Sequence, residues 1–415
     1  MQARHITAIA STAAGLLAAC GIFSEDDYEP RPGTGPVGGG GNRSRDDGGV
    51  EKDEGVVNPP PAPEKLSVVV EGDYVAARGN ALVFSEKGSS FVDGRSMPVY
   101  SDSTVFLYGR KAYLLQRWGE DSLKCLDVDT GSSCFNFGGV EKIDFEDNSN
   151  PQAVVVKDGF AYVSLNHPAI SGDVVKIDLA TGLIAPNRFD FTSFMNPDGD
   201  MHSFAGNMVA VGGTLFILLG DLQSDYYANT DGKLGEIYTG DEDNLRVFPL
   251  TECLNPVGIA HAETGELFFS CAGNFFPPEG RAVGFFDLNA RIVGGYFIGH
   301  EELYNRFLMS GSPGDIEISG RRGFFTLNFT NQDDFTPHSA EVRSFDVDRL
   351  VLDPEPWHFS DGGFIGDLAV GSTLMVADRG STLENSGTFV YDLETRRRLG
   401  RYLRLDPPVA VATEK

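Results

Sequence analysis

From residue 66 to the end of the chain, hydrophobic positions fall in short runs that are separated by turns rich in glycine, aspartate and asparagine. The stretch 153–165 is representative, because it reads Val-Val-Val, then Lys-Asp-Gly, and then Phe-Ala-Tyr-Val. β-Branched and aromatic residues favour strands, and Asp-Gly favours a tight turn between them. No segment shows a sustained helical period. The pattern therefore predicts a chain built from short antiparallel strands.

The strand-turn-strand pattern recurs with a period of about 50 residues. Five of the units have a β-rich run, an aspartate, an apolar residue and a turn. The aspartates are Asp127, Asp178, Asp287, Asp346 and Asp392. An aspartate in this position accepts hydrogen bonds from amides of its own turn, so we interpret these residues as structural.

Four short strands per period, with no helices between them, are typical of a β-propeller. Six clear units and an irregular one over 66–97 predict about seven four-stranded blades across 66–415. The fourth unit is atypical, because Pro249 replaces the aspartate and an acidic insertion covers 221–244. The β-prone segment 408–413 is expected to pair with the first unit and fasten the ring.

The units resemble the YVTN-type propeller repeat, in which a Tyr-Val strand end precedes an Ile-Asp-x-x-Thr-Gly hairpin. Tyr162-Val163 followed by Ile177-Asp178-Leu-Ala-Thr-Gly182 is the nearest copy. The resemblance extends loosely over 66–405 and implies the same fold.

The N-terminal segment predicts export and lipid attachment. A basic head with Arg4 and an apolar run precede Leu17-Ala-Ala-Cys20, which resembles the lipobox of bacterial lipoproteins. That resemblance implies a signal peptide over 1–19, a lipidated Cys20, and a partner in the membrane itself. Gly21 is not the aspartate that tends to retain such proteins at the inner membrane. We therefore expect an outer-membrane anchor that faces the periplasm or the cell surface, and residues 20–65 as a disordered Pro/Gly-rich linker.

Charge and cysteine content add two constraints. The formal net charge of −27 repels phosphate backbones, so we expect no nucleic-acid partner. The four cysteines after Cys20 suggest two disulfides in an exported chain. A two-residue turn at 129–130 would place Cys125 opposite Cys134 at a non-hydrogen-bonded pair, and Cys253–Cys271 follows by elimination.

No specific catalytic motif occurs in the chain, and the seven histidines show no ligand spacing. The candidates are instead polar residues in the first and second strands of successive units, which could line a central channel. Glu317 and Asp367 are expected at equivalent positions of neighbouring blades, facing one channel. The other candidates close second strands: Gln116, Asn166, Asn274, Asn328 and Asp378.

Cofactors are expected to be absent, with calcium as the alternative. Hard cations need several oxygen ligands, and acidic residues cluster at 144–148, 196–200 and 225–243. We predict a non-catalytic lipoprotein that binds or scaffolds an unidentified protein or small molecule. One alternative is a lactonase-like or esterase-like propeller hydrolase with an axial metal. The other is an outer-membrane assembly factor, resembling the lipoprotein with PQQ-like repeats, although the Trp-ending strand of that family is missing.

Overall fold

The computed structural model describes residues 64–86, 89–135, 137, 139–167, 173–195, 203–222, 227–228, 230–275, 278–301, 303, 311–331 and 336–414. The predicted signal peptide, Cys20 and most of the linker lie outside these residues. No helix in the described part is long and apolar enough to cross a membrane.

The described chain forms seven antiparallel sheets around one axis, which confirms the predicted propeller. In the first four blades the strands are given from the axis outwards. Blade 1 contains β31 (Pro408–Thr413), β1 (Leu66–Asp73), β2 (Arg78–Ser85) and β3 (Ser90–Val99). Blade 2 contains β4 (Ser103–Tyr108), β5 (Lys111–Gln116), β6 (Ser122–Asp127) and β7 (Lys142–Asp144). Blade 3 contains β8 (Pro151–Lys157), β9 (Phe160–Leu165), β10 (Val174–Asp178) and β11 (Ile184–Phe189). Blade 4 contains β12 (Ala205–Val211), β13 (Thr214–Leu219), β14 (Lys233–Tyr238) and β15 (Asp241–Pro249).

The last three blades follow the same order with small additions. Blade 5 contains β16 (Pro256–His261), β17 (Glu266–Cys271), β20 (Ala282–Asp287) and β21 (Ile292–Ile298), with a small hairpin of β18 (Asn274–Phe275) and β19 (Pro278–Glu279). Blade 6 contains β22 (Gly311–Ser319), β23 (Arg322–Thr330) and β24 (Pro337–Asp346), and its outer position is divided between β25 (Val351–Leu352) and β26 (His358–Asp361). Blade 7 contains β27 (Ile365–Val370), β28 (Thr373–Asp378), β29 (Gly387–Asp392) and β30 (Arg398–Tyr402). Described helix is limited to short turns such as Thr192–Phe194.

The ring is closed by the last strand, as predicted. β31 pairs antiparallel with β1, so that Val411 lies opposite Val69. The segment leading into β31 is held by the buried carboxylate of Glu71, which accepts hydrogen bonds from the amides of Arg404 (2.8 Å) and Leu405 (3.0 Å). The two ends of the folded chain therefore share one blade.

The hydrophobic core is divided into parts that lie between neighbouring blades. β1 shows the reason, because Val68 and Val70 pack towards blade 2 while the intervening Val69 packs towards blade 7. Alternate residues of a strand point to opposite faces, so a blade between two others reads as a continuous apolar run. The axis itself carries no core and is left as a channel.

The repeated aspartates cap hairpins, which confirms their structural role. The Asp178 Oδ1 atom accepts the amide of Ala180 (2.8 Å), and the Asp178 carbonyl accepts the amide of Gly182 (2.7 Å). Gly182 has a φ of +73°, which a glycine adopts without strain. The side chains of the other four aspartates make the same kind of contact: Asp127, Asp287, Asp346 and Asp392.

Blade 4 corrects the predicted alignment of the fourth unit. The residue opposite Thr214, where other blades carry the aspartate, is Tyr238 and not Pro249. Pro249 ends the outer strand instead, opposite Lys233. The stretch interpreted as an acidic insertion contains all of β14 and the start of β15. Its polar residues concealed β14, although four of the six residues of this strand are buried, Glu236 among them.

Both predicted disulfides are present. Cys125 and Cys134 are joined with their Cα atoms 5.2 Å apart, and Cys253 is joined to Cys271 at 5.4 Å. The predicted register is correct, but the kind of pair is not. The Cys134 amide donates to the Cys125 carbonyl (3.0 Å), so this is a hydrogen-bonded pair. The turn is also longer than two residues, since the Gly131 amide reaches the Asp127 carbonyl.

Candidate functional site

A channel of about 1030 Å³ runs along the propeller axis and is the candidate functional site. All seven inner strands line it, as do residues that directly follow second strands. We call the end at which Arg117 and Arg379 lie the arginine mouth. A channel of this size is large enough for a small organic ligand.

Second-strand ends place three residues at the arginine mouth from three consecutive blades. Arg379 directly follows β28, Tyr74 follows β1, and Arg117 follows β5. Backbone hydrogen bonds fix the two arginine loops, because the Arg117 amide donates to the Asp102 carbonyl (2.8 Å) and the Arg379 amide donates to the Phe364 carbonyl (2.9 Å). The guanidinium groups are therefore carried by a rigid part of the ring.

Tyr74 and Asp102 connect the two arginines. Arg117 Nη2 lies 2.6 Å from Asp102 Oδ1, and the Arg379 guanidinium carbon lies 4.4 Å from the centre of the Tyr74 ring. Burial, with Asp102 nearby, raises the pKa of Tyr74 to about 12, so this phenol stays protonated. Burial opposes the charge of Arg117, but Asp102 and Tyr74 together raise its pKa.

Each arginine keeps a buried N–H group without a hydrogen-bond partner in the described structure. These atoms are Arg117 Nε and Arg379 Nη1. No described carboxylate lies within ion-pair distance of Arg379, and burial lowers its pKa. A buried cation with an unsatisfied donor is costly. The arrangement favours an anion or an acceptor oxygen at this place.

Two carboxyl groups from neighbouring blades meet on the channel wall. Asp315 of β22 is hydrogen-bonded to Asp367 of β27. Asp367 also accepts the amides of Leu368 (2.9 Å) and Val411 (3.0 Å), so it helps to hold the closing strand. Burial raises the pKa of both carboxyls, and the charge of Asp367 raises that of Asp315 further. We assign the shared proton to Asp315, because Asp367 is the one that accepts two amides.

Glu317 lies in the same channel as Asp367, but the two are not at equivalent positions. Glu317 pairs with Phe324 near the start of β23, whereas Asp367 pairs with Ala377 near the end of β28. β22 and β27 each contain a bulge at which the strand register shifts, and counting residues along the sequence does not detect such a shift. Asp315 is the counterpart of Asp367, and sequence reasoning missed it. The repeated Gly-Asp-apolar triplets at 314–316 and 366–368 could have revealed it.

The predicted polar row at second-strand ends divides into two groups. Asn166 and Asn328 line the channel, whereas Gln116, Asn274 and Asp378 do not. The placement of Asn274 and Asp378 in a channel site is therefore corrected: both are buried and already hydrogen-bonded. Asn274 exchanges two hydrogen bonds with the backbone of Ala228, and Asp378 accepts from His358 (2.8 Å) and Ser360 (2.9 Å).

Asn328 is also committed to the fold, although it reaches the channel. Its amide nitrogen donates to the Ile365 carbonyl (3.2 Å), and its oxygen accepts the Ile365 amide (3.0 Å). This pair of bonds joins blade 6 to blade 7. Gln116 has a similar role, accepting the Tyr100 amide (2.9 Å) and donating to Ser122.

The arginines were the other residues that sequence reasoning missed. Arg117 and Arg379 each directly follow a polar residue of the predicted row, Gln116 and Asp378. The two arginines would have been found by considering the residue that directly follows each second strand instead of the last residue of the strand.

Within the described residues, no group of three or more histidine, cysteine, aspartate or glutamate side chains is arranged to hold a metal ion. The acidic cluster at 144–148 is described, and there Asp144 lies 2.9 Å from Lys142 Nζ. The cluster at 196–200 lies outside the described residues, and that at 225–243 lies partly outside them.

Comparisons with known proteins support the fold alone. No protein-family model matches the chain, and no curated protein matches its sequence. A candidate 6-phosphogluconolactonase from Bacteroides fragilis superposes with a TM-score of 0.58 at 12% identity, covering 86% of this chain and 100% of its own. A protein from Lactobacillus plantarum gives 0.57 at 11% identity, covering 85% and 99%. Apo AztD from Citrobacter koseri gives 0.47 at 10% identity, covering 85% and 98%.

Proposed function

We propose that this chain is a membrane-anchored binding protein whose propeller channel holds a small ligand with a carboxylate or phosphate group. The observation that carries the proposal is the pair of buried, unpartnered N–H groups on Arg117 and Arg379 beside the channel. Guanidinium groups bind such anions through paired hydrogen bonds. A bound anion would satisfy these donors and offset the charge of Arg379.

The proton shared by Asp315 and Asp367 supports the same function. Two ionised carboxylates on the wall would repel an anion, whereas a pair that keeps one proton carries a single charge. Asp367 is turned towards the Val411 amide of the closing strand and towards Asp315. Its negative charge is thereby partly neutralised before any ligand arrives.

Calorimetric titration with inorganic phosphate and with acetate tests this function. We expect binding by the wild-type chain and a loss of at least about 10-fold in affinity for Arg379→Gln, because one charge-assisted contact contributes about 1.5–3 kcal/mol. Arg349→Gln is the matched control, since Arg349 is a solvent-exposed arginine on a blade 6 turn. No binding of either anion, or an equal effect of both substitutions, would contradict the proposal.

A hydrolase acting on a lactone or ester is the second candidate, favoured by the hydrogen-bonded carboxyl pair. A pair that holds one proton can donate it and accept another. Glucono-1,5-lactone is a suitable probe. Its opening should be faster with the wild-type chain than with Asp315→Asn, and Glu384→Gln in an exposed loop should change nothing. Rates equal to the uncatalysed reaction would exclude this substrate.

The anchor is proposed from Leu17-Ala-Ala-Cys20. A lipid chain contributes about 0.8 kcal/mol per buried methylene, so several chains hold a protein firmly at a membrane. We expect the protein in the outer-membrane fraction and its release by Cys20→Ala. Retention of that variant would show that lipid on Cys20 is not the anchor.

A further inference from the structure

The channel wall is chemically divided. Its charged side chains come from blades 6, 7, 1 and 2: Asp315, Glu317, Asp367, Arg379, Lys65, Glu414 and Arg117. Blades 3 to 5 contribute one titratable group to the lining, His261, and burial lowers the pKa of this imidazole. It is therefore neutral near pH 7.

The uncharged side of the wall carries a strip of half-exposed apolar residues. Val156 on β8, Val209 on β12, and Val257 and Ile259 on β16 come from three consecutive inner strands.

Polar groups on this side are partly used by the fold. Gln152 donates through Nε2 to the Asn150 carbonyl (3.0 Å), and Asn207 donates through Nδ2 to the Val257 carbonyl (2.7 Å). A polyhydroxylated sugar placed against the apolar side chains would lose water without gaining hydrogen bonds from them. An apolar group would instead remove both surfaces from water.

We propose that the ligand of this channel is amphipathic: a carboxylate or phosphate head bound at Arg117 and Arg379, and an alkyl chain that packs against the strip formed by Val156, Val209, Val257 and Ile259. This inference rests on the proposed anion-binding function and adds the class of ligand. The head lies on the charged side and the chain on the apolar side of the same channel.

The test is a calorimetric series of butanoate, hexanoate, octanoate and decanoate. The full chain carrying Cys20→Ala is used, so that neither a lipid anchor nor detergent competes. Affinity should rise about 3- to 4-fold per added methylene, the fold-change that corresponds to about 0.8 kcal/mol. Octan-1-ol, which has the chain without the charge, should bind at least about 10-fold more weakly than octanoate.

Two substitutions test which residues bind the alkyl chain and which bind the anionic head. Ile259→Gln should weaken octanoate binding about 10-fold and leave butanoate nearly unchanged, whereas Arg379→Gln should weaken both. Ile259 is half-buried, so thermal unfolding of the variant establishes that it is folded. Val209→Gln is the second variant on the strip, and it should reproduce the selective loss.

The outcomes separate this inference from the function on which it rests. If phosphate binds and the four carboxylates all bind with equal affinity, the proposed alkyl-chain site is contradicted and the anion site is retained. Failure of every anion, including phosphate, would overturn the proposed function itself. If octanol and octanoate bind with equal affinity, the proposed recognition of the anionic head by the two arginines is contradicted.

Discussion

The two halves of the channel are built from the same repeat but differ in how their side chains are satisfied. In blades 3 to 5 the wall is apolar, and its amides are hydrogen-bonded to backbone, as Asn207 is to Val257. In blades 6, 7, 1 and 2 the wall contains carboxyls that share a proton and arginines with unpartnered donors. Unsatisfied buried groups destabilise a fold, and the two on the channel wall, Arg117 Nε and Arg379 Nη1, both lie in the charged part, which marks it as the part of the wall that is organised for binding.

The charged half also contains the seam of the ring. Deleting residues 408–415 removes β31, exposes the edge of β1 and strips Val411 from the core shared by blades 7 and 1. We expect insoluble protein or a fall in Tm of roughly 10 °C or more. Deleting only residues 414–415 is the control and should cost little. Equal unfolding temperatures of the two truncations, measured by calorimetry, would mean that β31 does not close the ring.

The two arginines of the charged half should respond differently to removal. Arg117 forms an ion pair with Asp102, and both side chains are largely buried, at 13% and 15% exposure. Arg117→Gln leaves that carboxylate without its cation, so we expect a loss of about 1–3 kcal/mol in unfolding free energy. Arg379→Gln removes a cation with no described ion pair and should be neutral or stabilising. Denaturant unfolding measures both, and a larger loss for Arg379 would contradict the assignment.

The carboxyl pair should make stability depend on pH. Burial raises the pKa of Asp367 to about 6, above its ordinary value of 3.8, with the protonated Asp315 hydrogen-bonded to it and Glu317 and Arg117 as its charged neighbours. Between these two pH values the folded state binds more protons than the unfolded state. The contribution of Asp367 to the unfolding free energy is therefore fully present below about pH 4 and is lost as pH rises through about 6. Water in the channel screens the charge of Asp367 and so reduces the size of this contribution to stability.

Asp315→Asn tests this dependence, because the amide donates to Asp367 without a titrating proton. The decline of Tm with rising pH should become shallower in this variant, because the raised pKa of Asp315 no longer contributes, while the part due to Asp367 remains. Glu384→Gln, in an exposed loop, should keep the wild-type profile. A wild-type profile in Asp315→Asn would show that the pair does not titrate together.

The smallest effect is expected on the apolar strip. Val209→Thr places a hydroxyl on a half-buried wall that borders the channel, where water can reach it, so the cost should be about 1 kcal/mol or less. Val69→Thr is the matched substitution inside the core between blades 7 and 1, where the side chain is fully buried. It should cost about 1–3 kcal/mol by denaturant unfolding. Equal costs would mean that the strip is not open to the channel.

The architecture could be predicted from the order of the residues, because the signals that indicate it are local. Strand alternation, turn aspartates such as Asp178 and the hairpin register of Cys125 and Cys134 each depend on residues a few positions apart. Counting these units was enough to predict seven blades and a closing strand at 408–413. Where local signals were weak, as at Tyr238, the alignment failed.

The candidate site depends on contacts between residues that are far apart in the sequence. Asp315 and Asp367 are separated by a blade of sequence, and Arg117 meets Tyr74 and Asp102 only because the ring brings blades 1 and 2 together. Asp315 lies two residues before Glu317 in β22, and only the strand register, with the bulge in each inner strand, shows that Asp315 and not Glu317 matches Asp367. Whether a polar side chain braces the backbone, as Asn328 does, or keeps a free donor, as Arg379 does, depends on atoms of the next blade. A single strand does not contain them.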